Sequence, residues 1–341
     1  MTQQGDWLAH TWRRRGPIAY ALLPLAWLYG ALAQCHRWLY RFGVLSAHRC
    51  RVPVIVVGNV MAGGAGKTPT VIALAKHLQQ QGLQVGVVSR GYRRHSQACV
   101  EVLNVTPISE SGDEPALIFN ALSAPVFVAS KRSDAIASLL AKHPQTQVII
   151  SDDGLQHRSM ARDIEVLVFN DSGIGNGWLL PAGPLREEYQ PGRTSSGPVP
   201  RLVLHTGQVP AFAGFVSTRC LAACAVAAGG QLIPLDDLRH QPVTALAGIA
   251  NPNAFFDMLR ARGLQLAHTA GLPDHFDFAN YNLPLHHSNV VLCTEKDAVK
   301  LFKRPVQAGV QLMAVPLVFA PEHAFLAAVD VLLTPLLHKP T

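Results

Sequence analysis

From residue 53 onward, short apolar runs rich in β-branched residues alternate with segments of helical period. The runs at 53–57, 85–89, 100–105, 125–129, 148–151, 165–169 and 202–205 have the length and composition of strands buried on both faces. Helical stretches open at Lys67 and end near Gly82, and recur at 114–121 and 130–142. This alternation predicts an α/β fold, a mainly parallel sheet with helices on both faces. Residues 189–200 form a proline- and glycine-rich excursion from it. A second, smaller α/β block begins near Arg219, with strands at 243–247 and 290–293, a helix after Asn251-Pro252 and a C-terminal helix near 321–333. A chain of 341 residues suits two such domains. The expected division is an N-terminal segment 1–48, a first domain 49–215 and a second domain 216–341.

The N-terminal segment breaks the pattern. From Gly16 to Ala33 no residue is charged, with Arg13, Arg14 and Arg15 before the stretch and Arg37 and Arg41 after it. It is shorter than the ~20 apolar residues of a bilayer span and contains Pro24. Trp27, Tyr29, Trp38 and Tyr40 beside arginines suit the headgroup level of a membrane. The reading is a monotopic, membrane-associated helix; a single span and an ordinary core helix are the alternatives. A cleaved signal peptide fits less well, because the apolar core begins late and no clear small-residue cleavage site follows.

Charge sharpens this. The chain carries +7, and residues 1–51 hold seven arginines, no lysine and one acid, Asp6, so that segment accounts for +6. Cations flanking an apolar stretch favour anionic lipid headgroups over nucleic acid, which is not an expected partner. Hydrophobic residues at 49% and charged residues at 15% exclude a disordered chain. The six cysteines are scattered, with no second pair to complete a zinc site after Cys220 and Cys224, and reduced thiols are expected.

The strongest local signal is PVIVVGNVMAGGAGKTPTVIALAKHLQQQG, residues 53–82, which reads as strand, glycine-rich loop and helix. Gly63, Gly64 and Gly66 let backbone N–H groups surround phosphate oxygens without a Cβ in the way. The helix start adds a fixed positive potential. Lys67 can reach β- and γ-phosphates, and the Thr68 hydroxyl can ligate Mg2+. The nucleotide-contacting set is therefore Met61, Ala62, Gly63, Gly64, Ala65, Gly66, Lys67 and Thr68, with ATP and Mg2+ as the implied cofactors. The G-x-x-x-x-G-K-[ST] pattern is intact only in its second half, since its first glycine falls on Met61. A second strand, 148–151, ends in Asp152 and Asp153, the arrangement that holds Mg2+ beside a phosphate loop; which aspartate binds directly stays open.

Six motifs in order, GGAGKTP (63–69), SRGY (89–92), GDEP (112–115), DDGLQH (152–157), LPAGPLRE (180–187) and TEKDAVK (294–300), give the chain a close resemblance to the tetraacyldisaccharide 4'-kinases, the lipid A 4'-kinases of Gram-negative bacteria. The family's threonine near the start of the phosphate loop is Met61 here. The resemblance implies transfer of the ATP γ-phosphate to the 4'-hydroxyl of a lipid A disaccharide precursor. It implies a location at the cytoplasmic face of the bacterial inner membrane, among its lipids, with no obligate protein partner. It also implies that Asp113 accepts the hydroxyl proton and that His275, in LPDHFDF, orients or tunes it. By residue pattern alone, GDEP reads as a helix start with Asp113 as N-cap, and TEKD as a capped helix start. Arg186 can stabilise the transferring phosphoryl group or grip the acceptor's phosphate; an ion pair at the surface is the alternative. With His275 in the second block and the other groups in the first, a cleft between domains is the expected place of reaction. The rival function is a membrane-recruited P-loop switch ATPase. Such ATPases carry a signature lysine where this chain has Ala62.

Overall fold

The computed structural model describes residues 11–92, 94–192, 199–285, 288–305 and 307–338. The middle of the proline- and glycine-rich excursion, 193–198, lies outside them. Contacts divide the chain into two compact units, residues 1–218 with 320–341, and residues 219–319.

The first unit opens with two helices, α1 (Pro17–Ala21) and α2 (Leu23–Arg41). Then follow β1 (Val54–Gly58), α3 (Lys67–Gln80), β2 (Val85–Ser89), β3 (Val100–Glu101), α4 (Ile108–Ser111) and α5 (Asp113–Ala121). Next come β4 (Val126–Val128), α6 (Arg132–Lys142), β5 (Val148–Asp152), β6 (Ile164–Phe169) and β7 (Arg201–His205). β8 (Phe215–Leu221) leads out of the unit. Strands β1, β2, β5 and β6 are buried along their whole length, as strands covered on both faces must be. They pair in parallel, β6 and β5 flanking β1, and β2 lying beyond β5. The short β3 pairs antiparallel with β4 at the edge, two residues where the apolar run had suggested six. Its continuation is a turn because Asn104 and Pro107 interrupt the alternation.

Helix α3 packs Thr68, Thr70, Val71, Leu74, Ala75 and Leu78 inward, a stripe of helical period against the sheet. Val54, Val88, Ile136, Leu139, Ile149 and Phe169 are part of the core on which that sheet closes. Burying such side chains contributes ~1.5–3 kcal/mol each before chain entropy is subtracted.

The second unit contains β9 (Cys224–Ala227), β10 (Leu232–Pro234), β11 (Pro242–Ala247), α7 (Pro252–Ala261), β12 (Gln265–Gly271), β13 (Val290–Thr294), α8 (Glu295–Leu301) and β14 (Gln311–Val315). Its six-stranded sheet runs in the order β10, β9, β14, β13, β11, β12. The central strands are parallel, and β9 and β10 are antiparallel additions.

The last elements differ from the expected division. Strand β15 (Leu317–Pro321) lies beside β8 in the nine-stranded sheet, and α9 (His323–Leu337) belongs to the first unit rather than to 216–341. One contact that ties α9 to this unit is on α3, where His77 Nε2 meets both carboxylate oxygens of Asp330 at 2.9 and 3.0 Å. A hydrogen bond between residues 253 apart leaves no trace in local sequence pattern.

Candidate active site

Helix α3 starts directly from the phosphate loop. Its N-cap is Gly66 at φ +81°, a left-handed conformation that favours glycine, and it supplies no side-chain cap. The first amides of the helix are thereby left for an external anion. The entry to the loop is pinned instead. Met61 N–H donates to Asn59 Oδ1 at 2.8 Å and Ala62 N–H to the Pro184 carbonyl at 2.8 Å. The Met61 side chain is buried in the core. Those two amides are therefore committed within the protein. Two loops brace the far side of the phosphate loop: Asn170 Nδ2 donates to Gly64 O at 3.0 Å and Thr206 Oγ1 to Ala65 O at 2.7 Å. Neither brace was evident in sequence, because each sits at the end of an otherwise ordinary apolar strand.

β5 delivers its two aspartates beside this loop. Lys67 Nζ lies 3.2 Å from Asp153 Oδ1, and Arg186 Nη1 lies 3.6 Å from the same oxygen. Burial pushes the Asp153 carboxyl up, but Lys67 and Arg186 outweigh it and hold the group below its usual range. Asp153 is thus an anion gripped by two cations, Lys67 and Arg186.

Asp152 is the opposite case. It is buried, Ser89 Oγ donates to its Oδ2 at 3.3 Å, and its Oδ1 has no hydrogen-bond partner among the described residues. Burial first, then the charges of Glu114 and Asp153, push its carboxyl up to about 7. Behind both aspartates lies Arg132, 1% exposed, whose Nη2 donates to the carbonyls of Asp152 at 2.8 Å and Asp153 at 3.2 Å. Burial lowers its guanidinium to about 10, which leaves it a cation at neutral pH. The sequence reading missed both Glu114 and Arg132. Arg132 occupies a position in α6 that looks solvent-facing, two residues before an acid.

Other motifs of the first unit are tied to this loop and to one another. Arg186 N–H donates to Val60 O at 2.7 Å, and Met61 bridges antiparallel to Leu185, so the LPAGPLRE segment runs along the entry of the phosphate loop. Gln156 ties DDGLQH to it, donating to Asn59 O at 3.1 Å and to Glu187 Oε1 at 3.3 Å. Arg158 pairs with Glu187 at 3.0 Å. Burial, then the nearby charge of Arg132, lowers His157 to about 4, so it is a neutral imidazole.

Gly112, at φ +87°, brings GDEP against SRGY: a Cβ there would stand 3.1 Å from Gly91 Cα. Gly112, not Asp113, is the N-cap of α5, and Asp113 is its buried first residue, where the helix dipole favours a carboxylate.

His275 belongs to the second unit, at φ +61°, and its Nε2 lies 3.2 Å from Lys296 Nζ. Thr294 is the side-chain N-cap of α8, accepting from Asp297 N–H, as its sequence pattern implied.

The N-terminal segment reaches this site through its loop. Tyr29 Oη donates to Arg186 O at 2.8 Å, Trp12 Nε1 to Pro181 O at 2.9 Å and Arg15 Nε to Asn176 O at 3.1 Å. One side of α2 is exposed: Trp27 is 69% exposed and Leu32 63%, with Leu25, Leu28 and Trp38 also exposed, whereas Ala26 is buried. Among the described residues, no helix is long and apolar enough to cross a membrane.

The sequence profile described as Tetraacyldisaccharide-1-P 4'-kinase matches residues 18–334. The chain belongs to that family. It is 60% identical to the tetraacyldisaccharide 4'-kinase of Polaromonas naphthalenivorans (strain CJ2) over 332 residues, 97% of this chain and 96% of that one. It is 51% identical to the protein of the same name from Acidovorax sp. (strain JS42), covering 95% of this chain and 93% of the relative. The crystal structure of LpxK from Aquifex aeolicus in complex with ATP matches with a TM-score of 0.76 at 27% identity, covering 94% of this chain and all of that one. Family membership thus bears out the α/β P-loop kinase fold expected from the six motifs.

Proposed function

We propose that this chain transfers the γ-phosphate of ATP to the 4'-hydroxyl of tetraacyldisaccharide 1-phosphate, a step of lipid A biosynthesis. The observation that carries the reading is the pairing of Lys67 and Arg186 on one carboxylate, Asp153, beside an uncapped helix start. Two cations held at that spot by an anion can be handed to a polyphosphate without rebuilding the site. The backbone of residues 63–68 surrounds the phosphates, and Lys67 contacts the β and γ groups. Arg186 then faces the transferring group or the acceptor's own phosphate. Asp113 accepts the proton of the attacking hydroxyl, and His275 is its partner on the family resemblance. The decisive assay is positional. Purified protein with ATP, Mg2+ and the disaccharide 1-phosphate should yield a product one phosphate heavier, with the new phosphorus coupled to the 4' proton in NMR. Phosphorylation at another oxygen, or none, contradicts the reading.

The residues present fit Mg2+. The unpartnered Oδ1 of Asp152, with the Glu114 and Asp153 charges nearby, marks an excess of negative potential that a hard cation balances. Asp152 and Thr68 would hold it, with phosphate oxygens completing a shell that needs only one or two carboxylates. When bound, Mg2+ supplies neutralisation of phosphate charge. A proton-linkage prediction follows from the raised Asp152 carboxyl. Below about pH 7 this group carries a proton that the cation must displace, so affinity for Mg2+ with a nucleotide rises with pH and binding releases protons. Calorimetry at about pH 6 in buffers of different ionisation heat should show release approaching one proton, lost in Asp152→Asn. Equal release in that variant contradicts the assignment.

The exposed apolar face of α2, with Arg37 and Arg41 at its end, supports monotopic docking on the cytoplasmic face of the bacterial inner membrane. Trp27→Asp combined with Leu32→Asp should lower co-sedimentation with anionic vesicles at least about tenfold, since each apolar side chain contributes ~1.5–3 kcal/mol. Unchanged partitioning of that variant would remove the helix from the docking surface.

A further inference from the structure

One compact segment, residues 176–186, touches both the N-terminal helices and the phosphate loop. It is closed by its own hydrogen bonds: Trp178 N–H donates to Asn176 Oδ1 at 3.0 Å, Gly183 N–H to Leu179 O at 2.9 Å and Leu185 N–H to Trp178 O at 3.0 Å. Toward the phosphate loop, Pro184 O accepts from Ala62 N–H and Arg186 N–H donates to Val60 O. The N-terminal residues hold it from elsewhere. Trp12 Nε1 donates to Pro181 O at 2.9 Å, the Tyr20 ring meets the Trp178 ring edge-on at 5.0 Å, and the Arg15 guanidinium stands 5.1 Å over that same ring. Tyr29 Oη closes the set by donating to Arg186 O at 2.8 Å. The Arg186 backbone is therefore held at both of its polar groups, its N–H by Val60 and its carbonyl by Tyr29.

Helix α2 is divided to suit. Ala26 is buried and Tyr29, Gly30 and Ala33 are half-buried, at the spacing of one helix face, whereas Leu25, Leu28 and Leu32 are exposed. Glycine weakens a helix interior, yet Gly30 stands in the middle of this one. A Cβ there would come within 2.8 Å of Leu179 Cδ1, so the helix lies as close to the segment as bare backbone allows. Burial raises the Tyr29 phenol against the lowering charge of Arg186, so the hydroxyl keeps its proton and serves as a donor. We infer that Tyr29 and Gly30 are positioning residues: through them the inner side of α2 fixes the backbone from which the Arg186 guanidinium reaches a phosphate. The inference rests on the reading of Arg186 as a phosphate-handling group. Its physical basis is that a displacement of about 1 Å, made away from the reacting atoms, can cost on the order of a hundredfold in rate. With the exposed side of α2 turned to lipid, as proposed above, docking and turnover share one helix.

The test reads docking and turnover separately in the full-length, detergent-solubilised enzyme. Tyr29→Phe keeps the ring and loses the donor. It should lower kcat about two- to tenfold, the scale of one hydrogen bond, with KM for ATP and co-sedimentation with anionic vesicles unchanged. Gly30→Val should push α2 off the segment and lower kcat about tenfold or more. Adding Leu179→Ala, which makes room for the new side chain, should restore most of that loss, a recovery that a general failure to fold would not show. The deciding comparison is a cycle with Arg186→Ala, in which Tyr29→Phe should have no further effect on kcat because the group it positions is gone. An undiminished effect of Tyr29→Phe in that background overturns the inference, as does the parent kcat in both Tyr29→Phe and Gly30→Val; in either case the reading of Arg186 stands. Arg186→Ala at the parent rate would overturn that reading and the inference together.

Discussion

Lys67→Ala should reduce phosphoryl transfer by at least about 10²–10³-fold, the loss seen when one preorganised donor to developing charge is removed. The structure makes the estimate a lower bound. Lys67 is the nearer of the two cations on Asp153, at 3.2 Å against 3.6 Å for Arg186. Deleting it leaves the aspartate charge facing the phosphates with only the more distant guanidinium to offset it. The variant should fold, because Lys67 opens α3 without belonging to its buried stripe. Initial rates with labelled ATP, set beside the thermal midpoint of the same preparation, check both points. A rate within threefold of the parent would show that the ammonium does not contact the phosphate that moves.

Asp113→Asn should cost about 10²–10⁴ in kcat and leave KM for ATP nearly unchanged. The amide keeps the volume of the buried side chain and its place at the first residue of α5. What it loses in stability is the carboxylate's interaction with the helix start, about 0.3–1 kcal/mol. A helix-starting residue and a proton acceptor thus predict different signatures. The first gives a lower thermal midpoint with normal turnover, the second a normal midpoint with turnover nearly abolished. A full-rate Asp113→Asn enzyme would return the residue to its structural role.

Much of the first unit was readable in sequence for a simple reason. Buried parallel strands such as 54–58 and 148–152 are continuous apolar runs, and the chemistry sits at their ends, where glycines and acids break the run. Lys67, Thr68, Asp152 and Asp153 are adjacent to such breaks, which is why the sequence pattern singles them out. Arg132 and Glu114 lie within or beside helices, and nothing in their neighbourhood distinguishes a buried charge from an exposed one. Asn170 and Thr206 brace the phosphate loop across 106 and 141 residues of chain, a relation that only the sheet order reveals. The return of α9 to the first unit was hidden likewise, because β15 and its pairing carry no signal of destination. Met61 and Ala62 illustrate a different limit. Their position in the motif suggested phosphate contacts, whereas Asn59 and Pro184 already occupy their amides. Motif spacing shows where a loop begins, but hydrogen-bond accounting shows which of its donors are left to bind anything.

On the proposed function, the N-terminal helices would link a lipid acceptor to the site by direct contacts. Tyr29 reaches the Arg186 carbonyl from the same helix that exposes Trp27 and Leu32. On the proposed function, a lipid-docking surface would be one hydrogen bond from the loop that carries the Arg186 guanidinium. That arrangement suits an enzyme whose acceptor is itself embedded in the bilayer.

The most direct measurement follows the γ-phosphate of labelled ATP with the disaccharide acceptor present and absent. ADP should form at a substantial rate only with acceptor, with one labelled phosphate on the lipid for each ADP. Steady ADP production that ignores the lipid, with the label released as inorganic phosphate, would contradict the account and identify a switch ATPase instead.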